Sequence, residues 1–248
     1  MSFAKKIYLR SLSFLDNFLE VCYNDIGRSE PSPRHGVGEA FFLALLQFTD
    51  GEKIVSRIYC IVGKSASGKD TVYREILAER PDSLIPIVPY TTRPQRVGER
   101  NGVDYHFVSF DELAAFEAAG RVIEKREYHT TQGLWVYFTL QFELEEGKDY
   151  ILINTLEGAK SLTRHYGAET VSVVYLEADD KTRLLRYIER ESRQATPDYA
   201  EVCRRFLADQ KDFSEAHVRE MENLIVIDSS KSVAESVEAW RNLYHSHR

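Results

Sequence analysis

The sequence has few cysteines, no long apolar run and no excess of positive charge. Its three cysteines, Cys22, Cys60 and Cys203, are far apart and form neither a CxxC motif nor a paired metal-ligand spacing. We therefore expect a reducing, cytoplasmic compartment. Cys60 lies within an apolar run, which predicts a small buried core residue.

The same shortages disfavour two classes of partner. The longest apolar stretch, residues 40–46 with Phe48, is much shorter than the ~18 residues that a membrane span needs. The N-terminal Lys5 and Lys6 are followed by an apolar segment that charged residues interrupt, which makes a poor signal peptide. The formal net charge of −7 argues against coating of nucleic acid, because contact with a phosphate backbone needs a basic face. A single nucleotide needs only a local cluster of Arg and Lys.

The overall composition suits a globular α/β protein. The 248 residues, 43% hydrophobic and 29% charged, are enough for one α/β domain with a lid or for two small domains. A compositional break falls near residues 51–53, and residues 1–52 contain no chemical motif. We interpret residues 1–52 as an N-terminal extension of unknown role. It is an accessory helix pair, a poorly ordered segment, or upstream sequence if natural translation begins near Val55.

From Arg57 onward, apolar strands alternate with helical segments, a pattern that predicts an α/β fold with a mainly parallel sheet flanked by helices. Ser109 and Glu112 form a capping-box pattern that opens a helix ending at Gly120. Thr196 followed by Pro197 predicts the N-cap and first position of a long helix. The predicted strands cover residues 57–62, 104–108, 150–153, 171–176 and 224–227, and the other predicted helices cover 69–79, 181–191 and 232–244.

A phosphate-binding loop follows the first predicted strand. Gly63, Gly68 and Lys69 satisfy the G-x-x-x-x-G-K frame where a strand gives way to a helix. The glycines allow a tight turn whose N–H groups point at phosphate oxygens, the helix N-terminus adds partial positive charge, and the lysine adds a full charge. A glycine-rich turn without nucleotide is the alternative. The predicted ATP-binding residues are Gly63, Ser65, Ser67, Gly68, Lys69, Asp70 and Thr71.

Asp70 occupies the position at which this frame normally has a Ser or Thr that binds Mg²⁺. A carboxylate is a hard oxygen ligand that suits Mg²⁺, so we expect Asp70 to contact the metal directly or through water. The alternative is that Asp70 only caps the helix and Thr71 contacts the metal.

A second motif spans residues 90–109 and contains Arg93, Arg96, a glycine-rich turn and Tyr105. Two guanidinium groups and a phenol can together hold a monophosphate, whereas a solvated surface loop is the simpler interpretation. The segment resembles the guanylate kinase signature, which reads close to T-T-R-x-P-R-x-G-E-x-x-G-x-D-Y-x-F-V-S. It differs in that Pro94 precedes Gln95 instead of following it.

The resemblance runs from about Arg57 to the C-terminus and implies a P-loop kinase fold over residues 53–248, with a small mixed acceptor-nucleotide subdomain at about 89–140 and a helical lid at about 183–210. The resemblance places Glu124 where the family has a base-reading glutamate, whose carboxylate would accept from guanine N1–H and the exocyclic amine together, whereas adenine offers an acceptor at N1. An ordinary solvated charge at Glu124 is the alternative. The residues that the resemblance places on the acceptor are Arg93, Arg96, Tyr105 and Tyr137 at the phosphate, and Glu124 and Thr139 at the base.

The chain departs from the family pattern near the acceptor site. Pro89 stands where the family usually has a Ser, and Pro has neither a hydroxyl nor an N–H to donate. Ile153 and Thr155 stand where the family carries carboxylates, which Asn154 can replace only in part. These changes motivate an alternative, a kinase of the same fold with another nucleotide acceptor.

The predicted helix at 181–191 is rich in arginine, and Arg186 and Arg190 share one of its faces. The resemblance implies that Arg186, Arg190 and Arg205 come from a lid that folds over the phosphates. With Lys69 they would neutralise charge on the transferred group. A solvated amphipathic helix pair is the alternative.

Together, the motifs predict a nucleoside monophosphate kinase that transfers the γ-phosphate of ATP to GMP or dGMP with Mg²⁺ as cofactor. Nucleotides are the expected partners, nucleic acid and membrane are not, and the sequence does not indicate an oligomeric state. A catalytically inactive, guanylate-kinase-like binding module is a further alternative. Such modules generally lose the glycine-rich loop and its lysine, which are intact here as Gly63, Gly68 and Lys69.

Overall fold

The computed structural model describes residues 56–79, 83–130 and 133–247. The predictions for residues 1–52 lie outside these residues. Among the helices that the structure describes, none is both long enough and apolar enough to cross a membrane.

The described residues form two β-sheets with helices packed on them. The strands are β1 (Ile58–Val62), β2 (Leu84–Pro86), β3 (Tyr90–Thr91), β4 (His106–Phe107), β5 (Val122–Thr130), β6 (Gly133–Leu140), β7 (Asp149–Ile153), β8 (Val171–Glu177) and β9 (Leu224–Asp228). The helices are α1 (Lys69–Ala78), α2 (Phe110–Ala118), α3 (Leu156–Tyr166), α4 (Asp180–Ser192), α5 (Tyr199–Asp212), α6 (Glu215–Arg219) and α7 (Val233–Ser246).

The larger sheet has five parallel strands in the order β2-β7-β1-β8-β9. Its central strand, β1, points Ile58, Cys60 and Val62 into a core with α3. Tyr59 and Ile61 point into a second core with α1 and α7. All five residues are fully buried, as expected of a strand covered on both faces. The structure confirms the mainly parallel sheet and the core position of Cys60, where burial raises the pKa of the thiol.

The sheet places the loop after β1 in a ligand-binding position. β1 lies between β7 and β8, and the helices that follow β1 and β7 cover opposite faces of the sheet. In open parallel sheets, ligands bind outside the carboxyl ends of the strands at such a switch point. Residues 63–68 leave the carboxyl end of β1 at this switch point.

The smaller sheet is mixed, with the order β4-β3-β6-β5. Its longest pairing is the antiparallel ribbon of β5 and β6, in which Glu124 pairs with Thr139 and Arg126 pairs with Tyr137. Alternate residues of a strand point to the same face, so these four side chains share one face of the ribbon. The opposite face of β6 packs against α2.

Two helix starts test the predictions from capping patterns. The capping box of Ser109 and Glu112 is confirmed at the start of α2. The predicted N-cap at Thr196 is wrong, because α5 begins at Tyr199 and Asp198 caps it by accepting the N–H of Glu201. A carboxylate caps a helix at least as well as a threonine hydroxyl, so the chain starts this helix two residues later than expected.

Candidate active site

The loop between β1 and α1 has the backbone of a phosphate-binding site. Gly68 has a φ of +96° and Ala66 a φ of +63°, and left-handed residues in a turn make successive N–H groups converge on a concavity. A Cβ at Gly63 would lie 2.6 Å from Ser67 Oγ and 2.8 Å from the Leu176 carbonyl oxygen. The close approach of the backbone therefore requires glycine at this position.

The interior of the loop has groups that suit a triphosphate. Ser67 is fully buried, and its Oγ has no hydrogen-bond partner in the described part of the chain. An unpaired buried hydroxyl is costly, and a phosphate oxygen would satisfy it. Lys69 Nζ lies 3.7 Å from Asp70 Oδ2, and the Asp70 side chain is 73% exposed. A lysine and an open carboxylate at this position fit a phosphate chain with Mg²⁺.

Helices α4 and α5 hold Ser65, the second loop residue predicted to bind ATP. The Ser65 N–H donates to Asp209 Oδ2 at 2.8 Å, and its carbonyl accepts from Arg183 Nε at 3.1 Å. Arg183 also donates to Asp180 at 2.9 Å and to Asp209 at 2.8 Å. Arg183 is 1% exposed, so this is a buried ion-pair network. The sequence assigns no role to Arg183 or Asp209, and only the Asp180–Arg183 spacing of three residues indicates a pair.

Arg186 is the predicted lid arginine that reaches the phosphate loop. It donates to the carbonyl oxygens of Ser67 at 3.5 Å, Ser230 at 3.3 Å and Lys231 at 3.0 Å. A cavity beside it is also lined by Thr71 and residues of α1 and α7. Arg186 therefore lies between the phosphate loop and the loop before α7.

The other two predicted lid arginines, Arg190 and Arg205, lie beside Tyr187. The Arg190 guanidinium lies 4.5 Å from the centroid of the Tyr187 ring. Arg205 donates to Glu201 at 2.7 Å and lies close to the Tyr187 hydroxyl. Both arginines are exposed, so they are accessible to a ligand that approaches from solvent.

The predicted acceptor-phosphate residues Arg93, Tyr105 and Tyr137 lie together. Arg93 is 3% exposed, donates from Nε to the Tyr137 hydroxyl at 2.9 Å, and lies 5.4 Å from the Tyr105 ring centroid. Its other two nitrogens donate to the two carboxylate oxygens of Glu99 at 3.0 and 2.7 Å. Hydrogen bonding raises the pKa of Arg93 and lowers the pKa of Glu99, so both stay ionised. The sequence alone does not predict that Glu99 orients Arg93.

Arg96 lies at the rim of this cluster. Its N–H donates to Glu99 at 2.8 Å, and its guanidinium lies 5.8 Å from the Trp135 ring centroid. The side chain is exposed, unlike that of Arg93.

Glu124 is buried on the same face of the β5–β6 ribbon as Tyr137, with 8% of its surface exposed. Its Oε1 accepts from the Thr139 hydroxyl at 2.8 Å and from Asn154 at 3.2 Å, while Arg126 Nε lies 3.2 Å from Oε2. The interpretation of Glu124 as a solvated charge is therefore wrong. Thr155, where the family carries a carboxylate, is the N-cap of α3. Arg126 is not among the residues predicted for the site, although a charged residue two positions after Glu124 on a strand points to the same face.

Tyr105 lies within electrostatic range of the phosphate loop. Burial is the main cause that raises the pKa of Tyr105, and the Asp70 carboxylate of the loop also raises it. The charge of Asp70 therefore reaches the residues predicted to hold the acceptor phosphate.

A parallel sheet whose central strand leads through a glycine-rich loop into a helix defines the class of P-loop nucleotide-binding proteins. A sequence model described as Guanylate kinase matches residues 55–240. The chain belongs to the guanylate kinase family.

Relatives and a solved structure agree with this assignment. The chain is 31% identical over 170 residues to a guanylate kinase of Bifidobacterium longum, covering 67% of this chain and 76% of the relative. It is 27% identical over 196 residues to one of Cupriavidus metallidurans, covering 77% and 83%. The crystal structure of guanylate kinase from Anaplasma phagocytophilum superposes with a TM-score of 0.55 at 18% identity, covering 78% of this chain and 87% of that one, and so supports the fold.

Proposed function

We propose that this protein transfers the γ-phosphate of ATP to the phosphate of GMP or dGMP, giving ADP and the nucleoside diphosphate. The observation that carries the proposal is that two candidate phosphate-binding clusters lie within electrostatic range of each other. Lys69 and Asp70 lie in one cluster, and Arg93, Tyr105 and Tyr137 lie in the other. The geometry supports in-line transfer between two bound phosphates.

The transfer needs positioning and charge neutralisation more than covalent help. An oxygen of the acceptor phosphate forms a bond to the γ-phosphorus, and the bond between that phosphorus and the β–γ bridging oxygen breaks. The acceptor oxygen is already anionic, so no side chain has to remove a proton. Lys69 and the lid residues Arg186, Arg190 and Arg205 supply positive charge, and closure of the lid keeps water out.

Mg²⁺ would be held by Asp70 or Thr71 together with the phosphates, and when bound it supplies positive charge against their oxygens. The exposed Asp70 carboxylate supports this role, and the α1 position of Thr71 supports the alternative. ATP, GMP and Mg²⁺ as ligands, the lid boundaries and the cytoplasmic location remain predictions.

Two observations favour a second candidate, a kinase of the same fold with a different acceptor nucleotide. Ile153 and Thr155 replace expected carboxylates, and Arg126 is ion-paired with Glu124. The intact loop with Gly63 and Lys69 disfavours the inactive binding module.

A coupled assay of ADP release decides among these functions. The acceptors are GMP, dGMP, AMP, UMP, CMP and dTMP, each with ATP and Mg²⁺. We expect turnover with GMP or dGMP. If no acceptor is turned over, the proposed kinase activity is refuted. If only a pyrimidine nucleotide is turned over, the proposed role of Glu124 in recognising the base is refuted.

A further inference from the structure

Arg126 lies beside Glu124 on the acceptor face of the ribbon, and the function proposed above gives it no role. Its Nε lies 3.2 Å from Glu124 Oε2, and its Nη2 lies 3.5 Å from Oε1. Even so, Arg126 Nε and Glu124 Oε2 are buried atoms that lack a hydrogen-bond partner among the described residues. The two atoms attract each other as an ion pair but form no aligned hydrogen bond, so each keeps a buried hydrogen-bonding site, and the pair indicates a place for a ligand that offers one donor and one acceptor.

The other oxygen of Glu124 is already occupied. Its Oε1 accepts from Thr139 at 2.8 Å and from Asn154 at 3.2 Å, and a carboxylate oxygen has about two lone-pair sites. Asn154 is fixed in place, because its Oδ1 accepts the Thr155 N–H at 2.9 Å. Its side chain also fills the space over Gly158, where a Cβ would lie 2.2 Å from Oδ1. Glu124 therefore offers one oxygen to a base, not two.

The order of groups along the ribbon orients the ligand. Arg126 pairs across the ribbon with Tyr137, which contacts Arg93 at the phosphate end, whereas Glu124 pairs with Thr139 farther along. If the phosphate of a nucleotide lies at Arg93, Arg126 lies beside the part of the base nearer the phosphate, and Glu124 lies beside the part farther from it. In a 6-oxopurine nucleotide, the acceptors N7 and O6 lie on the edge nearer the 5′-phosphate, and N1–H lies beyond them. The acceptors then face Arg126, and N1–H faces the free oxygen of Glu124.

We propose that Arg126 is a specificity-determining residue that donates to O6 and N7 of a 6-oxopurine, while Glu124 accepts N1–H through Oε2. The inference rests on the proposed kinase function and narrows its acceptor. The fork of an arginine matches O6 and N7 of guanine. A 6-aminopurine would place its amino group against Arg126 and its N1 lone pair against Glu124, which disfavours AMP.

The occupied Oε1 of Glu124 has a further consequence for the acceptor. The exocyclic 2-amino group of guanine finds no free carboxylate oxygen there. Inosine monophosphate (IMP) has the same O6, N7 and N1–H as GMP but lacks this amino group. The acceptor class is therefore 6-oxopurine nucleoside monophosphates, with little discrimination at position 2 of the ring.

The test measures kcat/KM for GMP, IMP and AMP, and calorimetric binding of GMP and IMP, in the full chain. We expect IMP to be within about tenfold of GMP in both measurements, and AMP to be at least about 100-fold poorer. Arg126→Ala should lower kcat/KM for GMP and IMP by about 10- to 100-fold through KM, with the KM for ATP unchanged. Arg126→Lys keeps the charge without the fork and should be intermediate.

Lys125→Ala is the matched control, because Lys125 is the next residue of β5, points to the opposite face and is paired with Glu117 and Glu127. Lys125→Ala should leave kcat/KM for all three acceptors unchanged, and circular dichroism should show that each variant is folded. A preference for GMP over IMP above about 100-fold, in turnover or in binding, would overturn the inference. An unchanged ratio of kcat/KM for GMP to kcat/KM for AMP in Arg126→Ala would overturn it as well. Because binding needs no turnover, equal binding of GMP and IMP without turnover would contradict the kinase and leave this inference supported.

Discussion

Arg183 allows a quantitative prediction about how α4 and α5 hold the phosphate loop. The side chain is 1% exposed and donates to Asp180, Asp209 and the Ser65 carbonyl, and the Asp209 side chain is 15% exposed. Removing one partner of a buried ion pair typically costs about 3–5 kcal/mol, because the remaining charge is left without compensation. Asp209 keeps the Ser65 N–H and hydroxyl as donors, so we expect about 3 kcal/mol of lost unfolding free energy for Arg183→Met.

Urea denaturation followed by circular dichroism measures this loss, with the m-value checked for constancy. The control is Arg193→Ala at the end of the same helix, where an exposed pair with Glu189 should contribute less than about 1 kcal/mol. In a double-mutant cycle, Arg183→Met is combined with Asp209→Leu. The double variant should lose less unfolding free energy than the sum of the losses in the two single variants, by at least about 1 kcal/mol. A loss below about 1 kcal/mol for Arg183→Met, or strict additivity in the cycle, would refute the buried network as the link between lid and loop.

Three further predictions concern single side chains. Arg93→Ala should raise the KM for the acceptor by about 100-fold or more, because each charge-assisted hydrogen bond contributes about 1.5–3 kcal/mol. The KM for ATP should change little, and an equal rise in both KM values would contradict the role of Arg93 at the acceptor. Asp70→Ala should raise the Mg²⁺ concentration for half-maximal activity, and an unchanged Mg²⁺ titration would transfer the metal contact to Thr71. Burial against Tyr90 lowers the pKa of His106 below its ordinary 6.5, so its neutral form is favoured in the folded state and stability is lost as pH falls below about 6.5. His106→Gln should therefore lose less thermal stability than the parent between pH 7 and pH 5, whereas identical pH profiles would show that His106 contributes nothing.

The parallel sheet and the phosphate loop could be predicted because their signals are local. A continuous apolar run such as Ile58–Val62 is typical of a doubly covered strand, and the spacing of Gly63, Gly68 and Lys69 is a direct requirement of the loop. The predicted N-cap of α5 is two residues too early because Thr196 and Asp198 both offer side-chain oxygens that can cap a helix, and the local geometry decides between them.

The buried network around the candidate site could not be predicted in the same way. Asp209 is 144 residues from Ser65 in the sequence, and Asn154 is 30 residues from Glu124, so no periodicity relates the partners. The sequence indicated which side chains carry charge, whereas the fold determines which of those charges are removed from water and must be paired. The occupied Oε1 of Glu124 is an example, because its partners come from β6 and from the loop after β7.

The ribbon of β5 and β6 has a consequence for how members of such a family can diverge. Two cross-strand pairs on the face that is proposed to bind the acceptor, Glu124 with Thr139 and Arg126 with Tyr137, are one two-residue step apart. A single inserted residue between the pairs would turn one of them away from the nucleotide. Cross-strand residue pairs added at the turn of the hairpin leave these two pairs on the same face, so the hairpin can change length without changing which acceptor binds. Substitution at one pair can in turn change the base that is accepted while the grip on its phosphate stays intact, so length and selectivity are free to evolve separately.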